Sequence, residues 1–174
     1  TSTLQAALDR AGNDTSGGIV VLPKGTFLTT SPLRIPAGVT LQGQGYGSSP
    51  IHISLDSAGG GSTIAYCGTD YAIQMDGHAS VVKDLAVYDY PYAGVNSFNC
   101  GTVQAKGGIV LDANGRGLES VILESVFIFQ FTQGASLTLT ASNQGGIAYA
   151  NFQNIRITNA KYGVVLQAEE GSFV

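Results

Sequence analysis

The sequence predicts an all-β solenoid, in which short strands stack coil upon coil behind a short N-terminal capping helix. Three observations carry that prediction. The first is a recurring phrase of apolar, any residue, apolar: Ile73-Gln74-Met75, Ile109-Val110-Leu111, Leu137-Thr138-Leu139 and Val164-Val165-Leu166. These phrases begin at residues 73, 109, 137 and 164, so the steps are 36, 28 and 27. The second is a companion phrase in similar rhythm: Leu85-Ala86-Val87, Val126-Phe127-Ile128 and Ile155-Arg156-Ile157. Period-two alternation marks strands with one buried face. Its return about every 25–30 residues, with no helical pattern between, marks one unit repeated and stacked. The third is composition: 24 glycines and no tryptophan in 174 residues suit many tight turns between short strands.

The elements follow in order. Residues 3–11 place Leu4, Ala7, Leu8 and Ala11 at i, i+3, i+4 and i+7, one apolar helix face, and Gly12 can end it. A solenoid's first coil must be covered, so residues 1–12 are read as the cap. Residues 19–23, 27–29, 33–35 and 39–42 read as very short strands separated by Lys-Gly, Ser-Pro and Pro-Ala-Gly turns, together making the first coil. Residues 46–61 are rich in Gly and Ser and read as a loop, with Ile51-His52-Ile53 a further strand candidate. Residues 63–66 start another coil. From residue 71 the coils are regular except for an insert at 89–107, which accounts for the longest steps. An inserted loop on one coil is where a solenoid places a binding wall. The chain opens inside a helical pattern and stops at Val174 just after a strand. This predicts one domain over 1–174 that is a processed or truncated piece, with either a lost C-terminal portion or another subunit, as in a homotrimer, over the last coil.

Composition bounds the function. Charged residues make up 11% and mean hydropathy is +0.17, which argues against a disordered tail or a nucleic-acid binder. The net charge of −4 offers no positive stripe to a polyanion. The longest apolar runs are too short to span a bilayer. Cys67 and Cys100 lack metal-ligand spacing; they form one disulfide if the protein is secreted, or remain two thiols. Asn13-Asp14-Thr15 matches the N-glycosylation sequon.

The opening carries a family likeness. Leu4-Gln5-Ala6-Ala7-Leu8, then Gly17-Gly18-Ile19-Val20-Val21-Leu22-Pro23-Lys24-Gly25-Thr26-Phe27, then Ser31-Pro32-Leu33, then Val39-Thr40-Leu41-Gln42-Gly43-Gln44-Gly45 resembles the start of pectate-lyase-like proteins. Polysaccharide lyases, glycoside hydrolases such as fungal β-1,3-glucanases, and phage tailspikes share it. The resemblance implies a right-handed parallel β-helix with three short strands per coil and substrate lying along an outer face. One fold hosts many chemistries, so the likeness speaks to fold before reaction. Polygalacturonase-type hydrolases carry an Asn-Thr-Asp, an Asp-Asp, a Gly-His-Gly and an Arg-Ile-Lys. This chain has Asn154-Ile155-Arg156-Ile157-Thr158, with threonine at the lysine position, and lacks the other three. No catalytic residue is carried over from that family.

The repeat itself proposes a site. Aligning the phrases puts Asp76, Asp112, Thr140 and Gln167 in one column. Parallel neighbours lie about 4.8 Å apart, so the two carboxyls should stand roughly 5–6 Å apart. Such a pair can divide into an acid and a nucleophile or base, and the spacing suits a retaining glycosidase. It would also suit a Ca²⁺ ion held by oxygen ligands, although no cofactor is required. His78 and Arg116 follow the two aspartates and would complete the site, or else are solvated turn residues. Asp76-Gly77 and Asp112-Ala113-Asn114-Gly115 are equally turn sequences, in which Asp caps through its own side chain. From the insert and its margin, Tyr88, Tyr90, Tyr92 and Phe98 offer rings that stack on sugar faces, or that pin the insert to its coil. Glu119 and Glu124 fit the outward face of a strand, Glu169-Glu170 a solvated turn, and Asn143, Asn151, Asn154 and Asn159 include candidates for inward-turned asparagine ladders.

The expected function is a secreted, extracellular domain that binds and cleaves a polysaccharide. Hydrolysis is favoured over β-elimination because the eight Lys and Arg look scattered. The alternative is a non-catalytic structural or glycan-binding element of a virion spike or surface fibre. Neither nucleic acid nor membrane is an expected partner.

Overall fold

A computed structural model describes residues 3–46, 61–90, 100 and 103–174. These residues are mostly β, in parallel sheets, with one helix, α1 (Thr3–Gly12). The strands are β1 (Gly18–Val21), β2 (Gly25–Thr29), β3 (Leu33–Ile35), β4 (Val39–Gln42), β5 (Ser62–Tyr66), β6 (Tyr71–Met75), β7 (Val81–Asp89), β8 (Gly107–Asn114) and β9 (Gly117–Glu119). They continue with β10 (Ile122–Phe129), β11 (Ala135–Ser142), β12 (Gly146–Ala148), β13 (Asn151–Gln153), β14 (Arg156–Thr158) and β15 (Tyr162–Ala168).

The chain passes between sheets and returns so that each strand lies beside an earlier or later member in parallel. One sheet runs β1-β4-β7-β10-β13, with β5 joined to the second half of β7, β2 joined to β5, and β14 joined to the second half of β10. Another runs β3-β6-β8-β11-β15, and β9 pairs with β12. Among the described residues the sheets are open and every pairing is parallel. The register is the one the sequence repeat predicts: Ile73 lies opposite Ile109, Ile109 opposite Leu137, and Leu137 opposite Val164. Leu85 lies opposite Val126.

The long strands β7 and β10 bend where one residue takes a left-handed conformation. Asp84 (φ 57°), Ser125 (φ 52°) and Asn154 (φ 51°) fall at the same level of successive strands. Such residues rarely sit at positive φ except as Asn or Asp. Asn154 donates from Nδ2 to Ser125 Oγ at 3.1 Å, tying one bend to the next. At this level, just after β4, stands Gly43, where a Cβ would collide with the Asp84 carbonyl.

Two expectations are corrected. The strands at 18–42 do not make a single coil. β4 lies in register on β1, Gly18 opposite Val39, because the turns between are short enough for the chain to return within 21 residues. The asparagines do not turn inward: Asn143, Asn154 and Asn159 occupy exposed or partly exposed turns at positive φ, and Asn151 is exposed in β13. Their side chains bond along the outside, Asn143 to Asn114 and Asn159 to Gln130. Polar side chains are satisfied there without desolvation.

The core lies between the sheets. Leu33, Ile35, Ile73, Met75, Ile109 and Leu111 face Leu41, Val82, Leu85, Val87, Leu123 and Val126, all essentially inaccessible. Helix α1 lies against β1, β3 and β4 and buries Leu8 completely. Gln5 fixes its lateral position, accepting from the Arg34 backbone N–H and donating to the Arg34 carbonyl. In β15 the equivalent inward positions are open, Val164 54% and Leu166 64% exposed.

Candidate functional site

The outward face of the β3-β6-β8-β11 sheet holds a groove of about 330 Å³. Period two decides its lining. In Leu33-Arg34-Ile35 the leucine and isoleucine turn inward, which points Arg34 out. The same rule turns out Gln74 beside Arg34, Val110 beside Gln74, and Thr138 beside Val110. One level further along stand Asp76, Asp112, Thr140 and Gln167, the column expected from the repeat, all lining the groove. Gly77 follows Asp76 because a Cβ there would run into the backbone of Pro36 and Ala37.

Asp76 and Asp112 differ in their partners. Arg34 Nη1 and Arg116 Nη2 each stand 3.5 Å from the same oxygen, Asp76 Oδ2. The Asp76 carboxylate is thus held between guanidiniums reaching it from the strand before and from the turn after β8. Asp112 has no hydrogen-bond or ion-pair partner among the described residues. Lys106 also lines the groove, its Nζ 5.0 Å from the centroid of the Tyr71 ring. Asp70 accepts from Gln74 Nε2 at 3.1 Å and from its neighbour's backbone N–H at 2.9 Å, which orders the groove's other end. Thr138 Oγ1 is buried in this face without a hydrogen-bond partner. Three of the eight Lys and Arg therefore gather in one groove, against the scatter expected from their positions in the chain.

The other expected site residues are distributed as follows. Arg116 belongs to the groove. His78 is exposed and lies by Gly117, outside the groove lining. Tyr90 is only 4% exposed and packs at 6.0 Å from Tyr88 in a separate aromatic cluster, so its ring is not an open platform. Tyr92 and Phe98 lie outside the described residues. Glu119 and Glu124 are exposed outward positions, as expected, and Glu169 accepts from the Asn143 backbone N–H. Among the described residues no three His, Cys, Asp or Glu side chains cluster as ligands for a metal ion. At Asp76 the two guanidiniums stand where a cation would.

Sequence reasoning missed Arg34, Asp70, Tyr71, Gln74 and Lys106. A signal for Arg34 was present: Leu33-Arg34-Ile35 is the same apolar phrase, 40 residues before Ile73. Extending the repeat one strand back places Arg34 beside Gln74.

The second cluster occupies the outer face of β5, β7 and β10. Phe127 and Phe129 stack with centroids 4.7 Å apart, and Tyr88 stacks on Phe129 at 5.0 Å. The Arg156 guanidinium lies over Phe127 at 5.0 Å. Cys67 and Cys100 pack against this cluster and are joined in a disulfide, their Cα atoms 5.5 Å apart. Nearby, Asp89 is 5% exposed, with Oδ2 accepting from the Ala105 backbone N–H at 3.3 Å and Oδ1 unpartnered. Burial raises its carboxyl to about 6, partly offset by that hydrogen bond.

Parallel sheets bearing a charged, acid-containing groove on an outer face define the class of β protein. Within that class, residues 1–63 match the model of the rhamnogalacturonase A/epimerase, pectate lyase-like family. No curated protein and no solved structure gives a significant match to the chain.

Proposed function

We propose that the chain is a carbohydrate-active domain, wound as a right-handed parallel β-helix, that hydrolyses an extracellular polysaccharide lying along the groove. The observation that carries this reading is that Asp76 and Asp112 directly follow the paired residues Met75 and Leu111 of adjacent parallel strands and line one polar groove. Adjacent parallel strands lie about 4.8 Å apart, near the roughly 5–5.5 Å that a retaining mechanism uses between its two carboxyls. The family match over residues 1–63 supports the carbohydrate class and the winding.

The roles follow from the partners. Asp76, oriented by Arg34 and Arg116, is the nucleophile that attacks the anomeric carbon. Asp112, without such partners, donates its proton to the leaving oxygen and then takes one from water. Thr140 and Gln167 offer hydrogen bonds to sugar hydroxyls, and the Tyr71 face a stacking surface. The Cys67–Cys100 disulfide supports an oxidising, extracellular setting.

A second reading, β-elimination, is favoured by the gathering of Arg34, Lys106 and Arg116. These cations could neutralise a uronate carboxylate while Asp112 takes the neighbouring proton. The test is a panel of neutral and acidic polysaccharides with product masses. Water-added products are expected, and unsaturated products would assign elimination instead. Asp76→Ala and Asp112→Ala should each lower turnover at least about 100-fold with unchanged melting temperature. Full turnover in either variant, or glycan binding with no cleavage of any polymer, would overturn the catalytic reading.

A further inference from the structure

We infer that Asn13 is an acceptor for an N-linked oligosaccharide, a site independent of the groove. Asn13-Asp14-Thr15 is the one Asn-x-Ser/Thr sequence in the chain, and x is not proline. Its position in the fold meets the physical requirements. The transferring enzyme must reach both the asparagine amide and the threonine hydroxyl, so neither can be engaged in a sheet or core. All three residues are exposed in the turn between α1 and β1. That turn is ordered by its backbone: the Asn13 N–H donates to the Asp9 carbonyl at 3.0 Å, and the Gly17 N–H to the Asp14 carbonyl at 2.9 Å. The acidic middle residue is occupied locally, Asp14 Oδ1 accepting from the Ser16 N–H at 3.0 Å and from Ser16 Oγ at 2.6 Å. The Asn13 amide and the Thr15 hydroxyl have no hydrogen-bond partner among the described residues.

An independent observation points to the compartment. The Cys67–Cys100 disulfide forms where thiols are oxidised, and the eukaryotic secretory lumen that oxidises them is also where sequons are glycosylated. The co-reactant is a lipid-linked oligosaccharide pyrophosphate. The bond from its anomeric carbon to the pyrophosphate oxygen breaks, and a bond from that carbon to Asn13 Nδ2 forms. The amide gives up one proton and the lipid pyrophosphate departs. None of residues 13–15 lines the groove, so the sugar leaves it open.

The test is expression of the full chain through a yeast secretory route, with the disulfide verified by peptide mass. The secreted protein should carry one N-glycan, removed by peptide N-glycosidase with aspartate left at position 13. Asn13→Gln and Thr15→Ala should each be secreted with the sugar wholly lost, and Thr15→Ser should retain it. Should Asn13→Gln fail to fold, Thr15→Ala and Thr15→Ser still decide the matter. A secreted, disulfide-bonded chain with unmodified Asn13, or a sugar that survives Thr15→Ala, would overturn the assignment.

Discussion

The groove on the β3-β6-β8-β11 sheet and the aromatic cluster on β5-β7-β10 are both outer faces of parallel sheets, built by the same rule of stacking equal levels. They end in opposite physical states. In the groove the stacked residues are short and polar, Asp76, Asp112, Thr140 and Gln167, and the face remains open. In the cluster they are rings, Tyr88 stacked on its register partner Phe129 and Phe129 on Phe127 two residues earlier in the same strand, all 6% exposed or less. Parallel stacking repeats whatever chemistry a column contains. A column of carboxylates and amides makes a place for a ligand, whereas rings stacked within and across strands make a satellite core.

Variants that cross the two regions sharpen the contrast. The largest stability effect belongs to the rings. Phe127→Ala removes a fully buried side chain and should cost about 3 kcal/mol in urea unfolding while leaving groove turnover intact. A loss of turnover at equal stability would mean the two faces are coupled.

Asp89, beside the aromatic face, comes next. Its carboxyl is raised from 3.8 to about 6, so between those values the folded chain holds a proton that the unfolded chain releases. The stabilisation is complete below about pH 4 and fades as pH rises through about 6, a change of about 3 kcal/mol. Asp89→Asn should flatten that slope in melting curves taken from pH 4 to 7.5. A slope that persisted would place the titration elsewhere.

The smallest effect is expected in the groove. Arg34 and Arg116 are 64% and 46% exposed, and ion pairs so wet contribute about 0.5 kcal/mol or less, screened by salt. Arg34→Gln with Arg116→Gln should barely move the melting temperature but should lower turnover by misplacing Asp76. A large loss of stability with unchanged turnover would reassign both arginines to the fold.

The legibility of these regions in the sequence differs for a physical reason. The Asp76–Asp112 column could be read directly, because alternation and repeat are local properties that set the register of neighbouring strands. Arg116 was legible for the same reason, since it follows Asp112 within one turn. Arg34 and Lys106 were not assembled, because one precedes the regular repeat and the other ends an insert that breaks it. Tyr90 was legible as an aromatic but not as a buried one, since burial of an outward ring depends on what covers its sheet.

The sequence by itself determined the strand periodicity, the parallel register from Ile73 to Val164, the helix over the first strands and the acidic column. Each depends on residues whose spacing along the chain sets their spacing in space. Only the tertiary structure decided that β4 returns onto β1, that three distant cations gather in one groove with two of them on Asp76, and that the two outer faces part into wet groove and dry cluster. Those outcomes depend on where turns and inserts return the chain and on which faces end up covered, neither of which is written in any local pattern.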